Sequence, residues 1–246
     1  MRFDRLDALR GIAIVWMTLY HFCFDLNHFG WIKQDFYQDP LWTWQRSAIV
    51  SLFLLCAGAG QAVALHQGQG VSVWGLRFWR RWAQVAACAL LVSISSYVMY
   101  PQSFIYFGVL HAIAVMLIIV RLTAHWGVWL WPLGGLAIAS KFIAADAIST
   151  AATLQFLNEK SFSILGWISE LPVTEDYVPI FPWLGIMWWG MAAAQWLLAN
   201  RAMVLTGGIM PSVRWLAWLG TWSLTWYMLH QPVMIGAMTV LKKLGA

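Results

Sequence analysis

Seven apolar stretches divide the chain, each close to the roughly 20 residues an α-helix needs to cross a hydrocarbon core about 30 Å thick. They run over 9–29, 47–64, 82–99, 104–122, 128–145, 178–198 and 215–241. Backbone in lipid must satisfy its own hydrogen bonds, so such stretches enter a membrane as helices. The pattern predicts an all-α, polytopic helical bundle of about seven spans (six to eight), a single domain over 1–246. Only 10% of the residues are charged, against about 25% in soluble domains, which leaves little for an aqueous domain. The opening MRFDRLDALRG carries two acids, and no small-residue cleavage site follows the first apolar run. It reads as a permanent first helix rather than a removed signal.

Lysine and arginine set the expected orientation. With the N-terminus in the cytoplasm, Arg2, Arg5, Arg10, Arg77, Arg80, Arg81, Arg121, Arg201 and Arg214 fall on that side against Asp4 and Asp7. The other side holds Lys33, Arg46, Lys141, Lys160, Lys242 and Lys243 against a larger number of acids. Lys242 and Lys243 dissent, and an eighth span or a last helix that turns back would return them to the cytoplasm. Arginines at helix ends suit anionic lipid headgroups or a phosphate-bearing ligand, so nucleic acid is not expected. Two outer loops, at about 30–46 and 146–177, are the long connections. In the second, Ile148–Leu157 and Phe162–Leu171 are expected as short interfacial helices. Cys23, Cys56 and Cys88 lack zinc-site spacing, and no metal is expected.

The first apolar stretch carries a polar stripe. At about 100° per residue, Asp7, Arg10, His21, Asp25 and His28 fall within an arc of roughly 60°. Ionisable groups inside a membrane are costly and mark functional routes. A rise of 1.5 Å per residue puts His21 about 16 Å from the cytoplasmic border, Asp25 and His230 about 22 Å, and His111 about 10 Å below the outer surface. Three histidines on three helices thus share one layer. A neutral imidazole takes a proton from an attacking hydroxyl or amine, and a nearby carboxylate steadies it. Asp25 lies one turn from His21 and three residues from His28, within reach of either. The turn Arg77-Phe-Trp-Arg80-Arg81 offers planar cations suited to phosphate. Together these suggest group transfer across the bilayer, from a phosphorylated carrier inside to an acceptor outside. The same stripe would serve a proton-coupled transporter, and His21, His111 and His230 would also suit a haem-binding membrane cytochrome.

The segment LDALRGIAIVWMTLYH, with ten residues between Arg10 and His21, resembles the signature of transmembrane acyltransferases, and Arg77-x-x-Arg80 resembles their basic motif. FGVLHAIAV, DYVPIFPWLG and LGTWSLTWYMLHQP are similar, more narrowly, to bacterial members of the heparan-α-glucosaminide N-acetyltransferase-like family. The resemblance implies a bacterial inner-membrane enzyme moving an acetyl or other acyl group from cytoplasmic acetyl-CoA to a glycan amine or hydroxyl on the far side. It makes His21 the base, gives Arg77 and Arg80 to the coenzyme, and lines the acceptor side with His111, Asp176, His230 and Gln231. The residue pattern itself adds Asp25 and His28 beside the base, Arg10 and Arg81 to the coenzyme side, and Tyr177 next to Asp176. Membrane lipids are the remaining expected partners, with a homo-oligomer allowed rather than required.

Overall fold

The apolar runs close into helices with few strong caps, as expected where lipid rather than water surrounds the backbone. The structure is a computed structural model that describes residues 3–69 and 74–244; Arg2 lies outside them. It is 78% helix, and the described residues form no strand. The helices are α1 (Asp4–His28), α2 (Pro40–Ala64), α3 (Leu76–Met99), α4 (Val109–Leu122), α5 (Leu130–Thr150), α6 (Lys160–Ser163), α7 (Trp183–Asn200), α8 (Met203–Thr206), α9 (Arg214–Thr221) and α10 (Ser223–Lys243). Four segments among the described residues are long and apolar enough to cross a membrane: Asp4–His28, Pro40–Gly68, Leu76–Met99 and Ala124–Thr150. Of the other expected spans, α4 has only 14 residues. The 18-residue α7 is not among the four.

Several expected boundaries move. Asp39 Oδ1 accepts the Leu41 N–H at 2.8 Å, so Asp39 and Pro40 start α2 seven residues before the predicted span. Arg77, Arg80 and Arg81 stand on the opening turns of α3, not in a turn before it, because the extended Gly75 is the N-cap. His111 lies in the first turn of α4, since the backbone from 104 to 108 is not helical. The second outer loop is less helical than expected. A 3₁₀ segment covers Ala152–Asn158, α6 is four residues long, and Gly166 at φ 92° ends any continuation toward Leu171. The single span expected over 215–241 is two helices. The Trp222 N–H turns back to Leu219 O at 3.0 Å, tightening the chain between α9 and α10.

The chain forms two compact units, Met1–Phe53 with Val204–Ala246, and Leu54–Met203. In the first unit α1 and α9 meet backbone to backbone. A Cβ on Gly11 would overlap the Leu216 carbonyl, and one on Gly220 the Asp7 carbonyl, an approach that only small residues permit. The contacts then ascend both helices together. Trp226 Nε1 donates to Thr18 Oγ1 at 2.8 Å, His21 meets His230, Asp25 meets Gln231, and Lys242 Nζ donates to Phe29 O at 3.4 Å. Hence α1 runs parallel to α9 and α10. Met17, Tyr20, Phe36 and Ile49 form the core beside them, with Phe36 against Trp42 at 4.2 Å.

In the second unit, α3 and α4 are antiparallel: Trp82 Nε1 donates to Ala114 O, while Ser93, further along α3, reaches Ile105 and His111. Close packing of Gly58 against the Met187 carbonyl joins this part of α2 to α7.

Candidate functional site

Two histidines face each other across α1 and α10. His21 Nδ1 lies 2.7 Å from His230 Nε2, with ring planes within 11° and centroids 5.0 Å apart. That separation fits two coplanar rings meeting edge to edge through a hydrogen bond. The backbone fixes its direction. His230 Nδ1 lies 2.8 Å from Tyr227 O and 3.1 Å from Trp226 O, and carbonyl oxygens only accept. Nδ1 therefore carries the proton of a neutral His230, and Nε2 is left with its lone pair. His21 must then donate from Nδ1, which leaves Nε2 of His21 as the basic nitrogen. No described residue hydrogen-bonds that atom. The two rings stand too close to bracket an iron ion, so the haem arrangement does not fit this pair.

Asp25 is not the partner of His21 that the one-turn spacing suggested. It is 3% exposed, and its Oδ1 accepts a long bond of 3.4 Å from Gln231 Nε2. Asp25 Oδ2 and Gln231 Oε1 are buried with no partner among the described residues. His28 is exposed in the last turn of α1, its ring edge-on to Phe29. Arg10 Nη1 bonds Asp7 Oδ1 at 3.0 Å, a pair three residues apart on one face.

The remaining expected site residues belong to the second unit. His111 is engaged at both nitrogens: Nδ1 accepts the Gly108 N–H at 3.3 Å, and Nε2 lies 3.0 Å from Ser93 Oγ. The Ser93 hydroxyl gives its proton to Ile105 O at 2.6 Å, so it receives one from His111 Nε2. Asp176 Oδ2 accepts the Val109 N–H at 2.9 Å and caps α4. Around it the TEDY segment lies beside 103–109. Thr174 Oγ1 donates to Phe104 O, the Glu175 N–H to Ser103 O, and Tyr177 bridges to Phe107. The Tyr177 hydroxyl donates to Ser163 O, and Tyr106 bonds the Ser163 hydroxyl at 2.6 Å. Burial first, and Tyr106 second, push the Tyr177 phenol above its ordinary range, so it remains a neutral donor. Arg77 and Arg80 are exposed three residues apart, and Arg81 reaches Gln84 at 3.4 Å.

The direct His21–His230 bond was missed in the sequence, although both residues were singled out. The shared layer expected for the two residues did not reveal that they touch, and the supporting residues Ser93, Tyr106 and Ser163 left no trace either.

Among known families, the sequence model of the heparan-alpha-glucosaminide N-acetyltransferase catalytic region matches residues 2–232. No curated protein and no solved structure matches the chain.

Proposed function

The chain belongs to the heparan-alpha-glucosaminide N-acetyltransferase catalytic family, and on that premise we propose that it moves an acetyl or other acyl group from cytoplasmic acyl-CoA to an amine or hydroxyl acceptor, such as a glycan, across a bacterial inner membrane. The observation that carries this reading is the directed chain of protons from His21 through His230 to the α10 carbonyls. His21 Nε2 takes the proton of the acceptor N–H or O–H as that atom attacks the thioester carbonyl. The imidazolium so formed keeps its Nδ1–H on His230 Nε2, whose own orientation is fixed. The C–S bond breaks, and the departing thiolate takes the proton back from His21. General-base catalysis of this kind contributes about 10²–10⁴-fold.

Arg77 and Arg80 support a donor site at the start of α3, where exposed guanidinium groups stand beside the positive end of a helix dipole. Arg81, on the same opening turns, is proposed to add to that positive field. The parallel run of α1 with α10 supports an odd number of crossings. Seven satisfies this, and the bond of Lys242 Nζ to Phe29 O supports placing Lys242 at the same end of the bundle as the end of α1, which we read as the outer one.

The test is His21→Ala in the purified protein. Turnover is expected to fall at least about 10²-fold, with coenzyme A affinity kept; wild-type turnover would remove the assignment. Reversing Arg77 and Arg80 to Glu should raise the donor KM more than it lowers kcat, and an unchanged KM would remove the donor site.

A further inference from the structure

Just beyond the histidine pair, the facing helices hold a second polar pair that the transfer chemistry does not use. Asp25 stands one turn after His21, and Gln231 directly follows His230. The Gln231 amide gives its N–H to Asp25 Oδ1, and turning the amide over would set oxygen against carboxylate oxygen. Its orientation is therefore fixed, and both leftover atoms, Asp25 Oδ2 and Gln231 Oε1, are acceptors. Both are buried, and neither meets a donor among the described residues. Buried acceptors are rarely left this way in a finished core. Two of them on facing helices, beside the proposed base, have the chemistry of a site waiting for donors.

We propose that Asp25 Oδ2 and Gln231 Oε1 form a recognition subsite for a donor group of the acceptor: an amine can give an N–H to each oxygen, and a hydroxyl its one O–H to either. It rests on the reading of His21 as the base, because holding that group one helical turn away is what makes the subsite useful. The subsite also selects by rejection. A carboxylate, phosphate or carbonyl entering here would set its oxygen against two acceptors that cannot reorient. Filling it requires the side chains that bury the two oxygens to move aside. An ammonium would add a counter-charge for Asp25, whereas a hydroxyl would supply the hydrogen bond alone.

The experiment is calorimetry on the full chain in lipid nanodiscs with coenzyme A bound, so that no acyl group transfers. Three sugars identical except at one carbon serve as probes, carrying there an amine, a hydroxyl or a hydrogen. The wild type should bind the amino or hydroxyl sugar about tenfold or more tightly than the deoxy sugar, the scale of one well-made hydrogen bond to a charged group. Asp25→Asn, which puts a donor where an acceptor stood, should erase that difference. A preference for amine over hydroxyl that disappears in Asp25→Asn identifies the ammonium; equal binding of the two, both above the deoxy sugar, shows that one hydrogen bond without charge is what the subsite takes. Equal binding of all three by the wild type, or binding of none, overturns the subsite, as does a preference that survives Asp25→Asn. If that variant does not fold, the wild-type comparison and Gln231→Leu still decide. Full turnover in His21→Ala would sink the base assignment while leaving these affinities to be read by themselves.

Discussion

Each unit of the molecule contains a histidine and an aspartate on or beside an apolar helix, yet the two sets are finished differently. In the second unit, both His111 nitrogens and Asp176 Oδ2 are engaged with Ser93 and backbone amides. In the first, His21 Nε2, Asp25 Oδ2 and Gln231 Oε1 remain without partners among the described residues. The residue types are nearly the same, so type does not separate a clamp from a site. What separates them is hydrogen-bonding capacity left over after the fold has formed.

The strongest way to break this contrast is to remove the framework that holds the dyad. Gly220→Ala would drive a Cβ into the Asp7 carbonyl, and neither backbone has a side chain to swing away. We expect a loss of about 3 kcal/mol or more, seen as poor recovery of monodisperse protein; a wild-type melting profile would refute the close α1–α9 contact. Next comes His230→Ala, which should lower turnover about 10²-fold by freeing the His21 tautomer. His230→Gln should recover part of that loss, since its amide oxygen accepts the His21 Nδ1–H. If Gln is no better than Ala, tautomer control is not what His230 provides. His111→Ala should act differently, costing about 1–2 kcal/mol through the lost bonds to Gly108 and Ser93. The melting temperature would fall by a few degrees, with kcat almost unchanged. A hundredfold loss of kcat at unchanged stability would move His111 into the chemistry.

The helical class and the polar stripe of α1 were legible in the sequence because both rest on local pattern. Apolar runs of crossing length define helices, and the stripe from Asp7 to His28 follows from 3.6-residue periodicity alone. The pairing of His21 with His230 was not legible, because register between α1 and α10 is set by Gly11 and Gly220 some 200 residues apart. The helix start expected near Phe104 moved to Val109 for a local reason. The sequence FGVLH is apolar enough to read as span, but its backbone is used in loop bonds with the TEDY segment, so α4 starts at Val109. Likewise Arg77 to Arg81 read as a turn because charge suggests one, while the extended Gly75 lets the helix begin ahead of them.

The smallest expected effect gives the sharpest discrimination. Asp176 was singled out as an acceptor contact, and the fold uses its Oδ2 to cap α4 at the Val109 N–H. A cap needs an oxygen in place more than it needs a charge. Asp176→Asn keeps an oxygen for that N–H and loses the attraction between carboxylate and helix dipole, about 0.3–1 kcal/mol. Asp176→Ala removes the cap and should cost about 1 kcal/mol. The order Asp, then Asn, then Ala should therefore appear in the melting temperature, while acceptor KM stays flat across the three. An acceptor contact predicts the reverse: Asn would raise KM about tenfold with stability unchanged, because a bound amine feels the lost charge as strongly as the lost oxygen. That result would mean that bonds already made within the fold do not exclude a residue from the site, and the contrast between the two units would no longer separate clamp from chemistry.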